Sequence, residues 1–176
     1  MPHNNAEIKC RITQPDRIRQ ILLQNGADFK GTDHQIDTYF YASKGRLKLR
    51  EGNIENALIY YERSDTADAK LSQVQLYSSH DAPQLKAILT NACGVKVVVD
   101  KQREIYFIDN TKFHIDIVAG LGHFCEIEVI DTSAQIPIPQ LQEQCQYYIQ
   151  LLQLDPKDLV ATSYSDLLLQ SSPHRP

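Results

Sequence analysis

The stretch KFHIDIVAGLGHFCEIEVI, residues 112–130, decides how the chain is built. Successive side chains of a strand point to opposite faces, so its first arm sets Phe113, Ile115 and Ile117 on one side and His114, Asp116 and Val118 on the other. The second arm repeats the arrangement after a turn carrying Gly120 and Gly122, with Cys125, Ile127 and Val129 on one side and Phe124, Glu126 and Glu128 on the other. One face of this hairpin is apolar and the other carries three carboxylates. A polar hairpin face ordinarily meets water, so the hairpin alone does not separate a solvated surface from a site.

The runs on either side alternate in the same way. Residues 5–12 (NAEIKCRI) place Ala6, Ile8, Cys10 and Ile12 on one face and Asn5, Glu7, Lys9 and Arg11 on the other. Residues 27–42 are rich in aromatic and branched types and contain Asp37. After the turn at Lys44 and Gly45, RLKLR (46–50) puts Arg46, Lys48 and Arg50 on one face, and ALIYYER (57–63) follows with Ile59, Tyr61 and Arg63 on one side. Residues 70–77 and the long run 95–108, in which Lys101 and Arg103 share a face, complete the set. Helical spacing is predicted from Pro15 to a stop at Gly26, and from an N-cap at Asp81 to a stop at Gly94. It returns over 139–152 and over 156–169. These helices are expected to cover the apolar sides of the strands. The expectation is an α+β fold, an antiparallel strand-dominated single domain over residues 1–170 with α-helices packed outside it, and a frayed tail at 171–176.

Composition bounds the function. The chain has 176 residues, enough for a sizeable core, with 42% hydrophobic and 23% charged residues. A formal net charge of -4 argues against a general nucleic-acid binder. No apolar run approaches the ~20 residues of a membrane span, and the first residues carry no secretory core, so a cytoplasmic protein is expected. Cys10, Cys93, Cys125 and Cys145 form no CxxC pair and sit mostly among apolar neighbours, which reads as reduced, packed thiols.

Taken together, the faces opposite the apolar ones offer Lys9, Arg11, Arg46, Lys48, Arg50, Arg63, Lys101 and Arg103 beside Glu7, Asp37, Asp116, Glu126 and Glu128. If the sheet curls so that these faces look at one another, they line a polar tunnel. Buried ions require compensation, and the matching ligand is a polyanion with a divalent metal. Arginine and lysine suit phosphate oxygens, and the glutamates suit the oxygen shell of Mg2+ or Mn2+. A flat sheet whose charges neutralise one another in solvent has the same alternation, and periodicity does not choose between the two.

In order along nearly the whole chain, Asn5 to Lys9, HQIDTYF (34–40), GRLKLRE (45–51), YERSD (61–65), VDKQREIY (99–106), HIDIVAGLGHFCEIE (114–128) and ATSYSDLLL (161–169) resemble the CYTH superfamily of triphosphate tunnel metalloenzymes. Within it they resemble the class IV adenylyl cyclase branch. The resemblance implies an eight-stranded antiparallel β-barrel forming a tunnel, a requirement for Mg2+ or Mn2+, and chemistry on a triphosphate-bearing small molecule, ATP before others. It implies substrate binding by Lys9, Arg46, Lys48, Arg50, Arg63, Lys101, Arg103 and His114. It implies metal binding by Glu7, Glu126 and Glu128, and catalytic roles for Asp116 and Lys9; a homodimer is the weakest of its implications. One departure stands out: the family opens with ExExK, and here Asn5 replaces the first glutamate. Its amide oxygen still coordinates but supplies no charge, and His3 shares its face. Three functions therefore stand side by side: cyclisation of ATP to 3',5'-cyclic AMP and pyrophosphate, hydrolysis of thiamine triphosphate, inorganic triphosphate or nucleotides, and non-catalytic binding of triphosphate or polyphosphate.

Overall fold

The computed structural model describes residues 3–63, 70–78, 81–133 and 135–171, except for the side chains of residues 3, 4, 63 and 70–73. The alternating runs form eight strands among these residues: β1 (His3–Arg11), β2 (Asp28–Phe40), β3 (Arg46–Glu51), β4 (Ala57–Arg63), β5 (Lys70–Ser78), β6 (Val95–Ile108), β7 (Thr111–Val118) and β8 (Gly122–Asp131). They hydrogen-bond in the order β1-β5-β4-β3-β2-β6-β7-β8, and β8 returns to β1, so the expected antiparallel barrel closes. In the β7–β8 hairpin His114 lies opposite Glu126 and Lys112 opposite Glu128. Its turn needs Gly120 and Gly122, which stand at φ 77° and 96°, a region side chains disfavour.

Closure sorts the two faces. Outside, Ala6, Ile8 and Cys10 of β1, Phe113 and Ile115 of β7, and Cys125, Ile127 and Val129 of β8 form the main core. It is covered by α1 (Pro15–Gln24), through Ile18 and Leu22, and by α3 (Ile138–Leu151), through Leu141, Cys145, Tyr148 and Ile149. This is why the apolar stripe of the deciding hairpin is continuous. All four cysteines are free, and Cys10, Cys125 and Cys145 are buried.

Two expectations about helices are corrected. The helix at α2 (Ala82–Cys93) forms as read, with Asp81 accepting the N–H of Gln84, but none of its residues is buried and Ile88 stays 57% exposed. Its main contacts are with β2 and β3 and are few, so it covers little. The tail helix read over 156–169 is two pieces: a single 3-10 turn (Pro156–Asp158) and α4 (Tyr164–Ser171). The break has a cause in the barrel. Among the described residues β5 pairs β1 from His3 to Glu7, and beyond that stretch the tail takes up the β1 edge. Leu159 bridges to Cys10 there, and the Val160 N–H donates to the carbonyl of Lys9 at 2.8 Å. Of the tail read as frayed, Ser171 belongs to α4 and residues 172–176 lie outside the described ones.

The piece that this detour delivers, α4, seals one end of the barrel. Tyr39, Val99, Val118 and Phe124 are on inward faces, yet they form a second apolar cluster with Tyr164. Arg46 anchors the helix through Asp166 at 2.7 Å. No helix among the described residues is long and apolar enough to cross a membrane.

Candidate functional site

The interior holds a cavity of about 430 Å³, bounded at one end by Ser163 and Tyr164. Its walls follow from the register. β1 turns Asn5, Glu7 and Lys9 inward, β8 Glu126 and Glu128, β7 Lys112 and His114, β6 Lys101 and Arg103, β2 Asp37 and Tyr39, and β3 Lys48 and Arg50. Strands β4 and β5 contribute Ala57, Ile59, Tyr61, Val74, Leu76 and Ser78. Lys9, Lys48, Arg50, Lys101, Arg103 and Lys112 thus face Glu7, Asp37, Glu55, Glu126 and Glu128. Among the described side chains that line the cavity, six cations stand against five carboxylates.

These charges fall into linked groups. Asp37 is the first hub: Lys48 reaches it at 2.9 Å, Lys101 at 2.8 Å, and Arg50 donates through both Nε and Nη2 at 2.9 and 3.0 Å. Burial alone would raise the Asp37 carboxyl, but Arg50, Lys101 and Lys48 outweigh it and hold it well below its ordinary range. Lys101 goes the other way. Burial, against the pull of Asp37 and with the push of Arg50 and Arg103, lowers its ammonium to about 7.

Arg103 is the second hub. Its Nε donates to Asp116 at 2.7 Å, and its Nη2 reaches both Asp116 and Glu126. Lys9 joins Glu126 at 2.8 Å, and His114 Nδ1 lies 3.1 Å from the same carboxylate. Tyr164 donates its hydroxyl to Asp116 at 2.8 Å, while the Lys9 ammonium sits 4.3 Å from its ring centroid. Burial, with Arg103 adding to it, lowers the His114 imidazole to about 4, so it is neutral near pH 7. Its Nε2 is buried with no hydrogen-bond partner among the described residues.

Asp116 changes role on this geometry. It is fully buried behind Arg103, both oxygens are engaged, and it is not among the residues lining the cavity. Its carboxylate is turned to Arg103 and Tyr164. Arg46 is likewise drawn to Asp166 of α4 and does not line the cavity. Arg63 closes β4 on the strand that faces the cavity, but its side chain lies outside the described ones, as does that of His3.

Among the described residues no three His, Cys, Asp or Glu side chains converge on one point as a ready metal cluster. The arrangement explains this: Glu126 is turned to Arg103, Lys9 and His114, and Glu128 accepts the Asn5 amide. The donor chemistry nonetheless fits a hard divalent cation. Glu7 and Glu128 are direct partners across β1 and β8, and the Asn5 side-chain oxygen beside them is buried without a partner among the described residues. Burial, helped by Glu7 and Glu126 and opposed by Lys112, raises the Glu128 carboxyl. A cation there would relieve that.

Several members of the site were not singled out from the sequence. Lys112 sits on the same face of the hairpin as His114, and that alternation was the signal for it. Tyr164 lies in the tail motif, but its part in closing the barrel is tertiary. Glu55 lies in the loop between β3 and β4, where no periodicity exists to mark it. It accepts from Arg50 at 2.8 Å, from Gln35 at 3.1 Å and from Lys112. Burial would raise its carboxyl, but Lys112 and Arg50 together hold it far below the usual range.

The CYTH domain family matches residues 3–164. Among solved structures, a protein of Pyrococcus horikoshii OT3 is similar at 24% identity and a TM-score of 0.80, over 93% of this chain and 98% of that one. A protein of Vibrio parahaemolyticus that carries adenylate cyclase as a provisional name is similar at 20% identity and a TM-score of 0.76, over 96% of this chain and 99% of that one. The S. pombe RNA triphosphatase is similar at 11% identity and a TM-score of 0.55, over 88% and 85%. At these identities the likeness is one of fold. No curated protein matches the chain significantly.

Proposed function

The chain belongs to the CYTH domain family, and from that premise we propose that it is a metal-dependent enzyme acting on triphosphates, converting ATP to 3',5'-cyclic AMP and pyrophosphate. The observation that carries the reading is the barrel cavity lined, among the described side chains, by six cations and five carboxylates. Left to itself each of these six cations is compensated by a carboxylate. A triphosphate with a divalent cation can exchange into that network, the phosphate oxygens taking the cations and the cation taking the carboxylates. When bound, Mg2+ or Mn2+ would be held by Glu7, Glu126 and Glu128 with the Asn5 oxygen, and would supply Lewis-acid polarisation of phosphate oxygens.

The chain's own groups supply the rest. Lys48, Arg50 and Lys101, pre-positioned by Asp37, and Lys9, Arg103 and Lys112 bind the phosphate oxygens and stabilise the negative charge on departing pyrophosphate. Asp116 and Tyr164 hold Arg103 in place from behind. In cyclisation the ribose 3'-oxygen bonds to the α-phosphorus as the bond to the β-phosphate oxygen breaks. The hydroxyl proton passes to one of the carboxylates lining the cavity. The second reading, hydrolysis of a triphosphate by water attack on a terminal phosphorus, uses the same cations and is favoured by the fold likeness to the RNA triphosphatase.

Chromatographic product analysis separates them, with ATP or inorganic triphosphate, Mg2+ or Mn2+, and Glu126→Ala as control. Cyclic AMP with pyrophosphate, lost in the control, is the expected result. Orthophosphate without cyclic AMP would replace cyclase by hydrolase. Tight metal-dependent binding with no product would leave a triphosphate binder.

A further inference from the structure

Lys112 and Glu128 stand directly opposite each other across β7 and β8, and both line the cavity. Opposite charges placed in this way ordinarily pair, since the Cβ atoms of such partners lie about 5 Å apart. In this barrel the Lys112 ammonium bonds Glu55 of the loop between β3 and β4 instead. It sits 5.7 Å from the ring centroid of Phe107, its register partner on β6, the neighbour of β7 on the side away from β8. Glu128 is left with the Asn5 amide as its hydrogen-bond partner among the described residues.

The loop that carries Glu55 is fixed independently of the lysine. Asp33 of β2 is fully buried, and its partners among the described residues are all neutral. It accepts the N–H groups of Ile54 at 2.9 Å and of Glu55 at 3.0 Å, and the Gln35 amide at 2.8 Å. The fit is close: a Cβ on Gly52 would stand 2.7 Å from both Asp33 oxygens. Gln35 also donates to Glu55 at 3.1 Å, and Arg50 does so at 2.8 Å. One loop carboxylate thus joins β3 to β7, strands that β2 and β6 separate in the barrel.

A divalent cation at Glu7, Glu128 and Asn5 has to compete with any ammonium on Glu128. We propose that Glu55, clamped by Asp33, is a positioning residue that withholds Lys112 from Glu128 and so keeps the metal carboxylates open. The role rests on the metal site of the reading above and adds the residue that sets its affinity. It follows from where Lys112 can go. Its side chain is only 12% exposed, and a largely buried ammonium deprived of one carboxylate takes the next in reach, which is Glu128 opposite it. Arg50 does not share this choice, because Asp37 holds it at 2.9 and 3.0 Å whatever Glu55 does.

The test is Mn2+ binding without substrate, read from the electron paramagnetic resonance of free Mn2+, with Lys112→Met introduced into the wild type, Glu55→Gln and Gly52→Ala. In the wild type Lys112→Met is expected to change the dissociation constant by only about twofold, because the lysine is engaged elsewhere. Glu55→Gln is expected to weaken Mn2+ about tenfold, within the range for groups coupled in one ion-pair network, and Lys112→Met to recover most of that loss. If loss of the Glu55 charge acted only through space, Lys112→Met would act by the same factor in both backgrounds. Gly52→Ala alters no charge and pushes the loop off Asp33, so it keeps the test open should Glu55→Gln not fold. It is expected to weaken Mn2+ several-fold, with the same recovery by Lys112→Met. Equal factors for Lys112→Met in every folded background overturn the role of Glu55 and leave the metal site standing. A wild type that binds no Mn2+, or binds it no better than Glu128→Gln does, removes the metal site itself and this role with it.

Discussion

The tunnel has two unlike walls. Among the described side chains, six strands, β1, β8, β7, β6, β2 and β3, face the cavity with charge, while β4 and β5 present Ala57, Ile59, Tyr61, Val74, Leu76 and Ser78. On the charged wall the side chains are fixed by one another before any ligand arrives, around Asp37 on one side and Arg103 on the other. On the other wall the described side chains carry no charge, and Tyr61 meets the Asp37 group through the Lys48 ammonium, 5.9 Å from its ring centroid. The difference teaches where each property of the site resides. Affinity for phosphate and the stability of the interior are the same thing on the charged wall, because removing one ion strands its partners. On the apolar wall stability and affinity separate, and what remains is fit.

The strongest way to break that comparison is Arg103→Ala. Asp116 would keep only the Tyr164 hydroxyl, and Glu126 only Lys9 and His114, in a fully buried setting. Urea unfolding is expected to show a loss of about 3–5 kcal/mol, together with loss of triphosphate binding. A variant as stable as wild type would mean that the hub is not held as drawn. Asn5→Glu probes the charged wall at its metal side. It replaces the amide that donates to Glu128 by a second carboxylate, so without metal the protein is expected to lose about 2 kcal/mol, from a lost hydrogen bond and a new like-charge contact. Added Mn2+ should restore melting temperature in the variant by more than it raises the wild type. An equal metal response in both would show that Asn5 lies outside the metal site.

How far the sequence announced this comparison depends on the kind of signal. The charged wall was legible because period-two alternation assigns a face to each residue regardless of partner, and Glu7, Lys9, Lys48, Arg50, Lys101, Arg103, Glu126 and Glu128 all arrive inside. Alternation does not tell depth. Asp116 has the right parity and still sits behind Arg103, and Val118 and Phe124 share that parity but close the end against Tyr164. Helix ends were legible from Asp81 and Gly94, yet the exposure of α2 was not, since its apolar spacing meets little of the barrel surface. The tail was misread as helical because Leu159 and Val160 have the right character, while the bridge to Cys10 and the bond to the Lys9 carbonyl hold them extended. Glu55 had no local signature: its place depends on Asp33 of a different strand.

Lys101 gives a subtler probe, because one group links both properties of the charged wall. Asp37 of β2, Lys48 and Arg50 of β3, and Arg103 of its own strand surround it, and its ammonium is lowered to about 7 from an ordinary 10.5. The charged form binds phosphate, so triphosphate affinity is expected to fall by up to about tenfold per pH unit above 7. Stability should move the other way. The unfolded chain holds this proton up to 10.5, so between about 7 and 10.5 it binds more protons than the folded one, and the Lys101 contribution favours folding increasingly as pH rises. Opposite slopes in calorimetric binding and in denaturant unfolding, both flattened in Lys101→Met, are the expected result. Parallel slopes would show that another group controls the interior.

The smallest effect should come from the apolar wall, at Ile59→Val. Ile59 is 8% exposed, contributes to the cavity lining and stands opposite Lys48 in register, but it carries no charge and no polar group into either hub. Removing one methylene is expected to cost about 0.5–1.5 kcal/mol in unfolding, as for a buried aliphatic side chain. Affinity for inorganic triphosphate should stay within twofold, since no cation loses a partner, which corresponds to about 0.4 kcal/mol. That combination, a stability loss with binding unmoved, is impossible on a wall where the same ions hold the barrel and the ligand. If the affinity fell in step with stability, the two walls would be one coupled unit, and the division of labour between phosphate binding and fit would fail.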